Sequence, residues 1–313
     1  MKILVTGASG FAGSHLIEAL KSAGQSDIYG TAYGNSSYLA TLIPEDHIIK
    51  VNLTDAEATF TLIEKVQPDQ IYHLAAFAFV GESFDRAAEL MQNNIALQLN
   101  MLEAVRKSAP KARLLVIGSA EEYGLSTKET EKINEEHPFR PVNPYAVSKI
   151  AQDLLGYSYQ VSYGLQVLRV RPFNHIGERQ TPDFAIPAFA KQIVEIERGK
   201  SSSLKVGNLD GVRDFTDVKD MVRAYMTIME KGTVGEVYNI GTGIGVKMKD
   251  VVDKLVALST AKIQIEVDQT RMRPLDIPSI VADASKIMAL GWKPEIVLDE
   301  TLKRVVEYWR VQK

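Results

Sequence analysis

The chain has 313 residues, 45% hydrophobic and 24% charged, values that suit one large globular unit or two closely joined ones. A net charge of −3 without a dense Lys/Arg run argues against nucleic acid as a partner, and the lack of cysteine excludes a disulfide framework, a thiolate nucleophile and a thiolate metal site. No stretch approaches a membrane span, and the apolar start Lys2 to Thr6 is too short for a signal peptide, so a cytoplasmic protein with no membrane partner and no metal is expected.

Lys2 to Thr6 reads as a buried parallel strand, followed by Gly7-Ala-Ser-Gly10-Phe11-Ala12-Gly13 and a helix from Ser14 through Ala23. Gly7 permits a tight turn, Gly10 lets backbone approach a pyrophosphate, and Gly13 lets the helix pack closely on the sheet. The helix N-terminus adds amides and a favourable field for phosphates. A strand before the loop and an amphipathic helix after it are the context that makes this glycine pattern a dinucleotide site. The second strand, about Asp27 to Tyr33, leads into Gly34-Asn35-Ser36-Ser37. That stretch offers neither an acid for a ribose 2′-hydroxyl nor an arginine for a 2′-phosphate. It suits NADPH or NADH, with a lean to NADP because nothing repels the phosphate.

Ile48 to Val51 reads as a third strand closed by Asn52-Leu53, and Pro68 to Ala76 as a fourth, in which His73 is a packed residue rather than a base. A helix opens at Asn93-Asn94 and runs to about Lys107. Ala112 to Ile117 is the fifth strand, emerging into Gly118-Ser119-Ala120-Glu121-Glu122-Tyr123-Gly124. Ligands of open α/β sheets sit beyond the carboxyl ends of strands, which puts the Ser119 hydroxyl where chemistry happens. Capping a turn is its plainer alternative. In Asn143-Pro-Tyr145-Ala-Val-Ser-Lys149 a helix from Pro144 sets Tyr145 and Lys149 one turn apart on one face. An ammonium near a phenol favours the phenolate, which makes the pair a proton donor or acceptor near neutral pH.

After the strand Gln166 to Arg171 the periodicity changes. A helix from Ile186 to Gly199, a strand from Leu204 to Val206 and a loop from Asn208 to Phe215 come next, then a helix from Val218 to Glu230. Val237 to Gly241 reads as a strand returning to the main sheet. A helix from Lys247 to Leu258, a strand from Ile263 to Val267 and helices from about Ala284 and Leu298 complete the chain. The class is α/β: a Rossmann-like, doubly wound parallel sheet at 1–173 plus about 217–246, with a smaller discontinuous α/β substrate domain at about 174–216 plus 247–313. Such a lid over the carboxyl edge of the sheet is where a substrate pocket belongs.

Through the glycine loop, Ser119, Tyr145 to Lys149, Phe173-Asn174-His175 and Asn208 to Phe215, the whole chain resembles the extended short-chain dehydrogenase/reductases of the nucleotide-sugar branch. Within that branch it is most similar to the reductases of GDP-4-keto-6-deoxy-mannose. The resemblance implies a cofactor lying over Gly7, Gly10, Phe11, Ala12 and Gly13, with Asn35 and Ser36 at its ribose. Asn52 and Leu53 are implied at the adenine, the small turn Leu74-Ala75-Ala76 under the cofactor, and Asn94 in support of that region. It makes Ser119 the group that polarises a carbonyl, Tyr145 the proton donor, and Lys149 the residue that tunes the phenol and holds the nicotinamide ribose. Glu121 matches the glutamate that removes a C5 proton in the family's dehydratases, with Ala120 where some of them carry an aspartate.

Asn174, Arg213 and Arg273 are implied contacts to a substrate diphosphate, Asp276 to the nucleotide ribose, and Lys191 to the phosphates or base edge. Guanidinium forks suit phosphate oxygens. The implied activity is NAD(P)H-dependent reduction of GDP-4-keto-6-deoxy-D-mannose at C4 to GDP-D-rhamnose. GDP-mannose 4,6-dehydration and, less closely, 4-epimerisation are the alternatives, although Gly34 to Leu42 lacks the arginine-rich segment of the longer mannose dehydratases. A regulator that only senses NAD(P)H would have lost Ser119, Tyr145 or Lys149, and all three are present. A homodimer is implied as well, pairing the apolar helices after Asn94 and after Tyr145 in a four-helix interface.

Overall fold

The computed structural model describes residues 1–78, 83–125, 131–272, 275 and 277–312. Strands and helices alternate through the first half: β1 (Ile3–Thr6), α1 (Phe11–Ser22), β2 (Ile28–Ala32), β3 (Ile48–Lys50), α2 (Ala56–Val66) and β4 (Gln70–His73). They continue as α3 (Ala87–Ser108), β5 (Arg113–Ile117), α4 (Pro144–Tyr163) and β6 (Gln166–Pro172). The second half holds β7 (Asn174–Ile176), α5 (Ala185–Glu197), β8 (Ser203–Val206), β9 (Val212–Asp217), α6 (Val218–Lys231) and β10 (Val237–Ile240). β11 (Gly245–Lys247), α7 (Met248–Ala257), β12 (Gln264–Val267), β13 (Ser279–Ile280), α8 (Ser285–Met288) and α9 (Leu298–Val311) end it.

The main sheet has seven strands in the order β10-β6-β5-β4-β1-β2-β3, every pairing parallel. Its strands are apolar on both faces because both are covered. Ile3, Val5, Tyr72, Leu115 and Leu168 point to the side packed by α1 and α6. Their neighbours Leu4, Ile71, Leu114 and Val167 point to the side packed by α2 and α3, as the two-residue strand period requires. Strand order reverses between β1 and β4, and the crevice at that switch point is where an open α/β sheet binds ligand.

A third cluster, built from α5, α7, α9 and β8, forms the core of the smaller part. Two short sheets accompany it, one grouping β11, β9 and β13 with β7, the other pairing β8 with β12. Ile277, Ile280, Ala282, Ile287 and Trp292 cross back to pack with α6 and the main sheet. The expected return of Val237 to the main sheet holds, beside β6.

Several expectations need correction. α3 starts at Ala87, so Asn93 and Asn94 lie within the helix rather than opening it. The expected loop from Asn208 to Phe215 contains β9, which pairs with three short strands. The helix near Ala284 is one turn long. No helix among the described residues is long and apolar enough to cross a membrane.

Candidate active site

Gly7, at the tip of β1, has φ of +65°, and a Cβ on Gly13 would stand 2.2 Å from the Gly7 carbonyl oxygen. Glycine at both positions is what lets α1 start so close to the strand. Gly10 begins α1 without a side-chain cap, and the first turn has no acid. By contrast, the side chains of Asp55, Asn143 and Asp217 cap α2, α4 and α6. The first-turn amides of α1 are therefore left to a ligand, and a pyrophosphate fits that cradle.

The loop forms part of a cleft of about 970 Å³. The cleft brings Gly7, Gly10, Phe11, Ala12 and Gly13 together with Asn52, Leu53, Leu74, Ala75 and Ala76. Ser119, Glu121, Tyr145 and Lys149 line it too, as do Asn174 on β7 and Arg213 on β9. Arg213 donates to the Ile277 carbonyl at 2.8 Å.

Four expected contacts lie elsewhere. Asn35, on the exposed surface, accepts the Ser37 N–H at 2.9 Å, and neither it nor Ser36 lines the cleft, where Thr31, Tyr33 and Gly34 stand instead. Asn94 is fully buried and donates to the Phe77 carbonyl and to Ser148 Oγ, both at 3.0 Å, so it ties α3 to α4 and to the turn after β4. Lys191 turns toward Glu195 at 4.0 Å and to the Trp309 ring at 5.7 Å. Arg273 and Asp276 fall outside the described residues.

The expected acid–base pair, Tyr145 and Lys149, sits on a well-defined helix start. Asn143 Oδ1 accepts the Ala146 N–H at 2.8 Å and Pro144 fills the first helical position, so α4 begins just ahead of Tyr145. The Ser119 hydroxyl and the Tyr145 phenol face the same cleft, and Ser119 lies close enough to favour the phenolate. Lys149 Nζ donates to the Ile117 carbonyl at 2.8 Å and lies 5.9 Å from the Tyr145 ring centroid.

Burial pushes the phenol above its ordinary value, with the Ser119 hydroxyl opposing and Glu121 and Glu122 reinforcing. Burial also pushes the Lys149 ammonium down to about 8, Glu122 opposing. The expected lowering of the phenol by Lys149 is therefore not what governs it. The ammonium is directed at a carbonyl, and desolvation of the phenolate wins. A phenol held protonated at neutral pH is a proton donor.

Glu121 Oε2 accepts from Asn143 Nδ2 at 3.0 Å, which links it to the cap of α4. His175 stacks on Phe11, ring centroids 5.8 Å apart and planes 6° apart, and burial lowers its basicity so that it stays neutral.

Sequence reasoning missed three groups. Tyr225 on α6 and Arg271 both line the cleft. Arg271 stands two residues before the expected Arg273, so its run was noticed and its member was not. Tyr225 carried no signal, being one apolar-face residue of an amphipathic helix. The third is Glu122, whose side chain turns inward although its neighbour Glu121 faces the cleft.

The sequence model of the GDP-mannose 4,6 dehydratase family matches residues 4–305. The chain belongs to that family. It is 32% identical over 310 residues to the GDP-6-deoxy-D-mannose reductase of Pseudomonas aeruginosa, covering 98% of this chain and 97% of that protein. It is 31% identical over 288 residues to the GDP-6-deoxy-D-talose 4-dehydrogenase of Aggregatibacter actinomycetemcomitans, covering 92% of this chain and 90% of the relative. Among solved structures, RMD from Pseudomonas aeruginosa complexed with NADPH superposes with a TM-score of 0.85 at 30% identity, covering 99% of each chain. Family membership agrees with the motifs: the chain is an extended short-chain dehydrogenase/reductase of the nucleotide-sugar branch.

Proposed function

We propose that this protein is an NAD(P)H-dependent oxidoreductase that reduces GDP-4-keto-6-deoxy-D-mannose at C4 to GDP-D-rhamnose. The observation that carries this reading is that Ser119, Tyr145 and Lys149 line one cleft together with the glycine loop and Arg213. The likeness over nearly full length to a GDP-6-deoxy-D-mannose reductase supports the choice of substrate.

Bound over the loop, the nicotinamide cofactor supplies the hydride. Ser119 and Tyr145 present two hydroxyls to one substrate oxygen, and donors aimed at a developing oxyanion lower the barrier most directly. Tyr145, kept protonated by burial, gives its proton to the oxygen that becomes the C4 hydroxyl. Lys149, an ammonium below about 8, holds the nicotinamide ribose and favours the phenolate left by that transfer. Arg213 and Asn174 hold the diphosphate, and Glu121, tied to Asn143, shapes the sugar side of the cleft. The nucleotide-sugar half corresponds to about 174–216 plus 247–313, with Ile277 to Trp292 bracing it on the cofactor half. The setting we propose is cytoplasmic, and the assembly a homodimer through α3 and α4.

Incubating purified protein with GDP-4-keto-6-deoxy-D-mannose and NADPH or NADH tests the assignment. Stoichiometric loss of reduced cofactor and a sugar of rhamnose configuration are expected, with GDP-mannose unchanged when no reductant is added. Conversion of GDP-mannose to the 4-keto sugar without net cofactor consumption would identify a dehydratase instead, the reading that the cleft-facing Glu121 favours. A talose-configured product would keep the reduction and change the product.

A further inference from the structure

Behind the Ser119 turn lies a carboxyl group shut off from solvent. Glu122 is 0% exposed, and its Oε1 accepts the Ser119 backbone N–H at 2.6 Å. The Ser119 hydroxyl accepts the Glu121 N–H at 3.2 Å, so side chain and backbone of the two ends cap one another. Gly118 makes room for this contact, since a Cβ there would stand 2.4 Å from the same Oε1.

The other oxygen of Glu122 lies 3.2 Å from Arg171 Nε, but that N–H is directed at Asp153 Oδ2, 2.7 Å away. Arg169 Nη1 donates to the second Asp153 oxygen at 2.6 Å. Asp153 stands on α4 four residues beyond Lys149 and eight beyond Tyr145, on the same buried face. A chain of buried contacts thus runs from the Ser119 turn, across β6, to the helix that carries the other two reacting groups. Two carboxyls and two guanidiniums are an expensive filling for a core that apolar side chains could pack with equal or greater stability. What this filling adds is a fixed relation between the Ser119 backbone and α4.

We propose that Glu122 is a positioning residue for the reduction: bonded to the Ser119 N–H and anchored on the Arg171–Asp153 pair, it fixes the Ser119 hydroxyl against the Tyr145 phenol. Burial raises its carboxyl well above the usual range and Asp153 adds to the rise, while the Arg171 guanidinium opposes it. Asp153 in turn accepts a hydrogen bond from each of the two guanidiniums. The inference rests on the reductase reading and names a group that touches neither substrate nor cofactor.

Glutamine keeps the length of the side chain and an oxygen that accepts the Ser119 N–H. Glu122→Gln is therefore expected to keep kcat, and Glu122→Leu to lower kcat by about 10²-fold through misplacement of Ser119 while the Kd for NADPH holds. The decisive arm repeats Glu122→Leu on Ser119→Ala. With no hydroxyl left to place, the leucine change lowers kcat there by no more than about twofold.

An equal loss in both backgrounds overturns the proposal, as does a Gln variant damaged as badly as the Leu variant. Should Glu122→Leu not fold, Glu122→Asp serves, because its carboxyl is one methylene short of the Ser119 N–H. It is expected to lower kcat only where Ser119 is intact, and wild-type turnover in that variant overturns the role. A wild-type protein inactive on the keto sugar overturns the functional reading and this inference together, whereas an active one matched by Glu122→Leu sinks the positioning role alone.

Discussion

Tyr145 and Lys149 were legible from spacing, since residues four apart on a helix share a face whatever surrounds them. Their acid–base character was legible only in part. Burial, which raises the phenol and lowers the ammonium, depends on what α4 packs against, and no local pattern encodes that. Removing the phenolic hydroxyl with Tyr145→Phe is expected to cut turnover by roughly 10²–10⁴ and leave NADPH binding near the wild-type value. Near-wild-type turnover in a single-turnover measurement would show that the proton comes from elsewhere. Lys149 adds a pH dependence whose sign follows from its position. Below about 8 it is an ammonium, above that a neutral amine, and NADPH carries only negative charge. Cofactor affinity is therefore expected to fall by about tenfold as pH rises from 7 to 9, and Lys149→Met to flatten that slope. Fluorescence titration of NADPH at several pH values measures both.

At the level of elements, β2, β5, α5 and α6 were placed to within a residue or two, whereas α1 was started too late and α2 was not expected. β9 was expected as a loop because Asn208, Asp210 and Gly211 punctuate its approach, and it takes its strand character from partners far along the chain, β7, β11 and β13. Arg213 thereby sits on a strand, which fixes its direction more firmly than a loop would. α3 was started too late because Ala87 to Gln92 carries no cap to announce it; its N-cap, Arg86, makes no capping side-chain bond. α4 is the opposite case, announced by Asn143-Pro144 and delivered there. Asn143 serves the element twice, capping Ala146 and holding Glu121. Asn143→Ala is expected to cost about 1 kcal/mol of stability, the ordinary worth of an N-cap. Chemical denaturation reads that loss. Turnover should fall beyond what the stability change explains, because the first turn of α4 carries Tyr145. A variant with the stability loss and unchanged kcat would confine Asn143 to capping.

The parallel, doubly wound sheet and a cleft at its carboxyl edge follow from the alternation of strand and helix, so the architecture was legible at the scale of the whole molecule. What a single chain leaves over is a surface. On α4 the face opposite Tyr145, Lys149 and Asp153 exposes Val147, Leu154, Tyr157 and Val161, at 42%, 47%, 48% and 61%. Their spacing of seven, three and four residues is that of a helix seam packed against another helix. Leu99 on the neighbouring α3 is 38% exposed. Burial against the protein's own sheet accounts for the other face of α4 but for none of these residues. A second copy placing its own α3 and α4 on this surface would bury the seam in a four-helix arrangement, and fully burying one large apolar side chain stabilises by about 1.5–3 kcal/mol. Because a two-fold interface doubles every change, Leu154→Arg puts two charges into the seam and is expected to weaken the dimer by about 10²-fold or more. The measurement is sedimentation velocity over a concentration series, with wild type dimeric at micromolar concentration and Leu154→Arg monomeric. NADPH affinity should be unchanged in the variant, because Leu154 does not line the cleft. A wild-type protein that sediments as a monomer throughout would sink the dimer, and the exposed seam would then need another partner.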